Sequence, residues 1–131
     1  MHNNLAPICL FVYNRIEETK LTIEALQANF LAYESDLIVF SDGFKDENDA
    51  HSVRIVRDFV RNISGFRSVK IIESFNNKGL AKSVIEGVSL VLEKSETIIV
   101  LEDDLITTPN FLDFMNQALS FYKDNNEVYS V

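Results

Sequence analysis

The sequence predicts an α/β fold: an open, mostly parallel sheet with helices on both faces. Short apolar runs alternate with amphipathic helical patterns, and each apolar run ends in a polar cluster. Alternation of strand and helix favours a parallel sheet, because each crossover helix returns the chain to the same edge. The length of 131 residues suits one domain, which we take to be residues 1–131.

Composition and charge exclude several classes of protein. The net charge of -8 argues against a nucleic-acid partner, because phosphate backbones call for basic surfaces. No apolar window is long enough to span a membrane, and the N-terminus lacks the pattern of a signal peptide. The single cysteine, Cys9, excludes an internal disulfide and suits a reducing compartment. We therefore expect Cys9 to be buried and the protein to be cytoplasmic, free or at the inner face of a membrane.

Four strands are predicted at the apolar runs 7–12, 37–40, 69–72 and 97–101. The first run is too continuous to alternate, as expected for a strand buried on both faces. A helix is predicted at 17–30, a second is stopped by Gly65, a third follows Gly79, and a fourth opens at Thr108 with Pro109 in its first turn. A last apolar run, 128–131, ends without a cap, which we expect of a truncated piece. The apolar faces of the first three helices are predicted to comprise Ile23, Leu26 and Phe30; Val53, Val56, Val60 and Ile63; and Leu80, Val84, Val88 and Val91.

The polar clusters that follow the strands are the first indication of a functional site. In open parallel sheets, ligands bind beyond the carboxyl ends of the strands. We therefore expect four clusters to meet along one edge: Tyr13-Asn14-Arg15, Ser41-Asp42-Gly43, Asn76-Asn77-Lys78-Gly79 and Glu102-Asp103-Asp104.

The acidic triplet Glu102-Asp103-Asp104 is the sharpest of these signals. Three adjacent carboxylates repel one another and raise their own pKa values unless a cation joins them. A hard divalent ion such as Mg²⁺ or Mn²⁺ prefers oxygen ligands and keeps positions open for phosphate and water. The alternative is a solvated acidic turn that only marks the end of a strand.

The other clusters each allow a ligand-binding and a structural interpretation. Asp42 could hydrogen-bond a ribose or a base, or could form a simple Asp-Gly turn. Lys78, at the start of a helix, could face a diphosphate or could be a solvated lysine. Tyr13 could stack on a base or complete the core, and Arg15 could pair with phosphate, with Asp42 or with Glu18. The spacing of Gly79, Ser83 and Gly87 indicates a strip of small residues for close helix packing.

Taken in order, these motifs resemble the N-terminal half of glycosyltransferases of the GT-A fold, especially family 2. Residues 7–15 are similar to the first strand and nucleotide-contacting turn of that family, and Asn77-x-Gly79 followed by Gly87 is similar to its helix start. Asp42 stands where the family has an aspartate that contacts the nucleoside. Glu102-Asp103-Asp104 stands at the so-called DXD position, in an EDD form.

The resemblance implies a role for each of these residues. Asp104 would bind Mn²⁺ or Mg²⁺ with Glu102 in support, and Asp103 would contact the ribose or the water shell of the metal. The nucleotide would also be contacted by Tyr13, Asn14, Arg15, Asp42, Asn77 and Lys78. The donor would be a nucleotide sugar, by family frequency a UDP-sugar, and the acceptor a saccharide or a lipid-linked saccharide. The catalytic base would lie beyond Val131, so little transfer is expected from this chain alone.

Three alternatives remain at the level of sequence. A phosphoacceptor receiver domain would need an acidic pair after the first strand and an aspartate after the third, where this chain has Asn14 and Asn76 within non-acidic clusters. A nucleotidyltransferase would need a glycine-rich basic loop after the first strand, and none is present. The third alternative is a nucleotide-binding module that catalyses nothing.

Overall fold

The computed structural model describes residues 5–123. This part of the chain contains four strands: β1 (Ile8–Val12), β2 (Asp36–Ser41), β3 (Ser68–Glu73) and β4 (Ile99–Glu102). They alternate with four helices, α1 (Ile16–Gln27), α2 (Glu47–Val60), α3 (Leu80–Leu92) and α4 (Phe111–Tyr122), and a 3-10 turn at Ala32–Glu34 precedes β2. All strand pairs are parallel, so the predicted parallel α/β architecture is confirmed.

The strand order, β3-β2-β1-β4, makes β1 one of the two inner strands, between β2 and β4. Ile8 is in register with Leu37 of β2 on one side and with Ile99 of β4 on the other. The order reverses between β1 and β4, and such a switch point opens a crevice at the carboxyl ends of the two strands. A receiver domain of the flavodoxin type would place its third strand beside the first. In this chain β3 lies beyond β2, which excludes the receiver alternative.

Helices cover both faces of the sheet, but unequally. On one face, alternate residues of β1 such as Ile8 and Leu10 pack in a core with Ile23 of α1, Val56 of α2 and Leu112 of α4. On the opposite face, α3 is the one helix among residues 5–123 that packs on the sheet, and the smaller core there contains Cys9, Phe11, Phe40 and Val91. The expected burial of Cys9 is confirmed, and desolvation raises the pKa of its thiol to about 12.

Gly87 sets how closely α3 approaches the sheet. The rings of Phe11 and Phe40 stack on adjacent strands with centroids 4.9 Å apart, directly beneath the helix. A Cβ at Gly87 would lie 2.9 Å from Cε1 of Phe11 and 3.1 Å from Cε1 of Phe40. A Cβ placed at Gly79 would have no neighbouring atom within 4 Å, so Gly79 is not needed for close packing. Only part of the predicted small-residue strip therefore serves packing.

Several predicted boundaries differ from the structure. Helix α1 ends at Gln27, and Phe30 beyond it is 72% exposed. The reason is Asn29, whose side-chain amide donates to the carbonyl oxygen of Ala25 while its oxygen accepts from the N–H of Leu112. Helix α4 begins at Phe111 with Asn110 as its N-cap residue, so the predicted opening at Thr108-Pro109 is wrong by two residues.

The predicted apolar faces of α2 and α3 each included one residue that does not belong to the buried face of the helix. Helix α2 ends at Val60, so Ile63 packs on the core from beyond the helix, and Gly65 lies further along the chain. Leu80, in the first turn of α3, is 53% exposed and does not belong to the core. The run 128–131 lies outside the described residues. No helix within residues 5–123 has the length and apolar character of a membrane span.

Filling the contact at Gly87 is expected to destabilise the domain. Gly87→Val would force the two stacked rings apart, and overpacking of this kind costs roughly 1–3 kcal/mol. Ser89→Val, on the exposed side of the same helix, is the matched control, since it adds the same side chain without a packing conflict. Urea unfolding followed by circular dichroism measures both. Equal free energies of unfolding for the two variants would contradict the close approach of α3.

Candidate functional site

A cleft of about 380 Å³ opens at the carboxyl ends of β1, β2 and β4, beside the start of α3. It occupies the edge where the polar clusters were expected to meet. Most of the predicted site residues line it, together with others that the sequence did not single out. The predicted residues are Tyr13, Arg15, Asp42, Asn77, Glu102, Asp103 and Asp104, and the additional ones include Phe11, Phe40, Lys45, Leu80 and Ser83. Asn14 and Lys78 were also predicted but do not line the cleft.

Asp42 joins the end of β2 to the start of α3. One carboxylate oxygen accepts from the backbone N–H groups of Gly43 and Lys78, both at 2.9 Å. The other accepts from the N–H of Gly79 at 3.0 Å and from the side-chain amide of Asn77 at 3.2 Å. A carboxylate offers about four lone-pair sites, so this one is saturated. A nucleoside could therefore hydrogen-bond Asp42 only by displacing one of these donors, and the Asn77 amide makes the longest bond.

The segment held by Asp42 requires a glycine. Gly79 is the N-cap residue of α3 and has φ 80° and ψ 160°. Residues with a side chain rarely adopt a φ in this range. The chain can thus turn its N–H groups at 78 and 79 back towards Asp42 before the helix begins.

Arg57 of α2 ties the ends of β2 and β3 together, a role that sequence analysis did not assign. Its Nη2 donates to the carbonyl oxygens of Ser41, Asp42 and Ser74 at 2.8 to 3.2 Å, and its Nε donates to the hydroxyl of Ser41 at 3.0 Å. The side chain is only 16% exposed. On a helix with several charged residues, the sequence pattern gave no reason to distinguish this arginine. It fixes the backbone from which Asp42 projects.

On the other side of the cleft, Arg15 pairs with Asp103 rather than with Asp42. Its Nη2 donates to a carboxylate oxygen of Asp103, and its guanidinium also lies 3.8 Å from carboxylate oxygens of Asp104 and Glu18. The expected partner Glu18 is therefore present, and pairing with Asp42 is wrong. Strand order alone does not decide between the two acids, because β1 lies between β2 and β4. The Asp42 carboxylate already accepts four hydrogen bonds, whereas Asp103 accepts from Arg15.

The Arg15–Asp103 pair joins an exposed cation to a buried acid. Asp103 is only 5% exposed, and this burial raises the pKa of its carboxyl group despite the opposing effect of Arg15. The hydrogen bond and the charge of Asp103 raise the pKa of the Arg15 guanidinium, which keeps its charge. The hydroxyl of Thr22 donates to the carbonyl oxygen of Asp103 at 2.9 Å and anchors the acidic turn on α1.

The acidic turn offers oxygen ligands but not a preformed metal cage. Within residues 5–123, no three His, Cys, Asp or Glu side chains are gathered so that they could hold an ion. Asp103 is directed to Arg15, while the side chain of Asp104 is 47% exposed at the cleft. Mg²⁺ in particular binds through one or two carboxylates and takes its remaining ligands from water and phosphate. The donor set of Glu102 and Asp104 fits an ion of this kind.

Tyr13 and Asn14 both donate to Asp49, a residue that sequence analysis missed. The Tyr13 hydroxyl donates to one carboxylate oxygen of Asp49, and the Asn14 amide donates to the other at 2.7 Å. Asp49 lies in the first turn of α2, where acids are common because they favour the helix N-terminus. An acid at this position is therefore expected in any case, and the sequence gives no sign that Asp49 also contacts Tyr13 and Asn14. Tyr13 lines the cleft without entering the core clusters, so the core interpretation of Tyr13 is not supported.

The two lysines near the site differ in their partners. Nζ of Lys78 lies 2.7 Å from a carboxylate oxygen of Glu86, and Lys78 lines a neighbouring groove beside α3. Lys45 lines the cleft itself and makes no ion pair with any residue in 5–123. The lysine predicted from the sequence is thus already paired with Glu86, whereas Lys45 lines the same cleft as the acidic turn.

The fold and the location of the cleft define an open parallel α/β domain of the GT-A type. The chain is similar to the crystal structure of TarS from S. aureus, with a TM-score of 0.61 and 18% sequence identity. The similarity covers 90% of this chain and 19% of the TarS chain, so this chain spans about a fifth of that protein. An identity this low shows the fold alone.

Comparison of the sequence with models of protein families identifies the family of the chain. The family model described as "Glycosyl transferase family 2" matches residues 8–130. The chain therefore belongs to glycosyl transferase family 2. No curated protein sequence matches it.

Removal of Arg57 is expected to loosen the strand ends beneath the cleft. Arg57→Met leaves three partly buried carbonyl oxygens without their charged donor, and hydrogen bonds of this kind contribute about 1.5–3 kcal/mol each. We expect a loss of unfolding free energy of roughly 2–4 kcal/mol, allowing for replacement by water. Arg54→Met, an exposed position on the same helix, is the control and should change stability little. Equal stability of the two variants in urea would show that Arg57 does not hold the strand ends.

Proposed function

We propose that this domain binds a nucleotide sugar, most simply a UDP-sugar, as the donor for glycosyl transfer to a hydroxyl group. The acceptor would be a saccharide or a lipid-linked saccharide. The proposal is supported by membership of glycosyl transferase family 2 and by one observation above all. Asp42, Arg15 and the acidic turn, which are far apart in the sequence, line one cleft at the switch point of the sheet.

The charges of the cleft favour a donor that arrives with a divalent cation. Four carboxylates and only two cationic side chains line it, and one of these cations, Arg15, is paired with Asp103. A diphosphate would be repelled by this surface unless a cation accompanied it. Glu102 and Asp104 would hold Mn²⁺ or Mg²⁺ against the diphosphate. When bound, the ion would stabilise the negative charge that develops on the leaving diphosphate.

The remaining residues of the cleft would bind and orient the donor. Tyr13 would lie against the base, and Asp42 would accept a hydrogen bond from the nucleoside after release of the Asn77 amide. Asp103 would contact the ribose or a water molecule of the ion, with Arg15 keeping its carboxylate in place. Lys45 supplies a cation that needs no prior release, whereas Lys78 would have to leave Glu86 to reach a phosphate. Asn14 would contribute indirectly, since it lies outside the cleft lining.

Replacement of Asp104 is expected to abolish the metal-dependent part of nucleotide binding. Titration of UDP into the chain by calorimetry, with and without Mn²⁺, should give tighter binding with the metal. Asp104→Asn should lose that gain, about tenfold to a hundredfold in Kd if the carboxylate interaction contributes roughly 1.5–3 kcal/mol.

The control variant is Asp58→Asn, which removes one negative charge from an exposed position on α2. It should bind UDP and Mn²⁺ as the unaltered chain does. Metal-independent binding that Asp104→Asn leaves intact would keep the nucleotide site but contradict the role given to Asp104. Absence of UDP binding by the folded chain under all conditions would contradict the proposed donor.

A further inference from the structure

We propose that Asp49 is a positioning residue of the nucleotide cleft, which holds the ring of Tyr13 in the orientation that receives the nucleoside base. This inference rests on the proposed function and extends it to a residue outside the cleft lining. Asp49 would not touch the nucleotide. It would act through Tyr13 and through the loop that carries Lys45.

Three donors from two different loops converge on the Asp49 carboxylate. The Tyr13 hydroxyl and the Lys45 backbone N–H, the latter at 3.1 Å, donate to Oδ2. The side-chain amide of Asn14 donates to Oδ1 at 2.7 Å. Tyr13 and Asn14 follow β1, whereas Lys45 lies between β2 and α2. One carboxylate therefore links the two loops that form this wall of the cleft.

Asp49 is itself fixed by the helix that carries it. Asp46 caps α2 and accepts hydrogen bonds from the N–H groups of Asn48 and Asp49. The next turns of the helix are anchored in the interior through Ala50 and Val53, both 1% exposed. The carboxylate thus projects from a helix end that is capped and anchored in the core, a suitable base from which to orient a side chain in a loop.

The consequence for binding is preorganisation of an aromatic surface. Tyr13 lines the cleft, and its hydroxyl group, at the tip of the side chain, donates a hydrogen bond to Asp49. A nucleoside base can stack on an aromatic ring without regard to its identity. Ordering a free side chain on binding would weaken affinity roughly threefold to tenfold, and a ring that is already held avoids this loss.

The competing interpretation is that Asp49 only stabilises the N-terminus of α2. Glu47 provides the matched comparison, because it is another acid in the first turn of α2 and is exposed. Within residues 5–123 the Tyr13 hydroxyl donates to Asp49 and not to Glu47. If charge at the helix end were the whole role of Asp49, Glu47→Ala and Asp49→Ala would behave alike.

The test measures UDP binding in the presence of Mn²⁺ for the unaltered chain, Asp49→Ala, Glu47→Ala, Tyr13→Phe and the double variant of positions 13 and 49. We expect Asp49→Ala and Tyr13→Phe each to weaken binding about threefold to tenfold, and Glu47→Ala less than twofold. The double variant should bind no more weakly than Asp49→Ala, because both changes break the same link. Tyr13→Phe removes only a hydroxyl, so it remains informative if Asp49→Ala folds poorly.

A second readout needs no nucleotide. The NMR ring signals of Tyr13, assigned by their disappearance in Tyr13→Phe, should shift in Asp49→Ala and stay in place in Glu47→Ala. Equal affinities of Asp49→Ala and Glu47→Ala, or additive effects in the double variant, would overturn the inference. If the unaltered chain binds no UDP, the proposed function fails. The ring signals then still decide whether Asp49 holds Tyr13.

Discussion

The cleft depends on the carboxylate of Asp42, which joins the end of β2 to the start of α3. This carboxylate accepts hydrogen bonds from the backbone N–H groups of Gly43, Lys78 and Gly79. Gly43 lies before α2, and Lys78 and Gly79 lie directly before α3. It is 8% exposed, and its backbone is held from below by Arg57. A buried carboxylate is tolerated only where donors replace the water it has lost. The same saturation that stabilises the loop also means that a nucleoside must exchange with an existing donor to reach Asp42.

The opposite wall is built on a different principle. There the acidic turn after β4 is joined to the turn after β1 by the ion pair of Arg15 and Asp103. The pair neutralises the buried acid and leaves Asp104 exposed to the cleft. On one side of the cleft, the Asp42 carboxylate has its hydrogen bonds made within the protein. On the other side, the acidic turn presents a carboxylate that is available to bind a cation. A ligand that carries both a nucleoside and a metal-bound diphosphate matches this division.

The sequence predicted the parallel sheet and the meeting of the polar clusters, because both follow from local patterns and from the rule that parallel strands end at one edge. It could not predict which side chains pair across that edge. The sequence left phosphate, Asp42 or Glu18 as partners for Arg15, and the pairing with Asp103 becomes visible only where the loops after β1 and β4 meet in the structure. Asp49 and Arg57 were missed because each stands on a helix where a charged residue is ordinary. Phe30 was misplaced because Asn29, a buried polar residue, ends α1 early.

The most direct test of the account is the location of the nucleotide on the chain. Backbone amide NMR of the ¹⁵N-labelled chain, titrated with UDP in the presence of Mg²⁺, follows the backbone N–H groups along the chain in one experiment. We predict shifts concentrated at the carboxyl edge of the sheet, including the amides of Gly43, Gly79 and Asp104. The amides of Lys94 and Thr97, which precede β4 at the opposite edge, should stay unchanged. Shifts at that opposite edge, with the cleft residues unmoved, would contradict the assignment of the site.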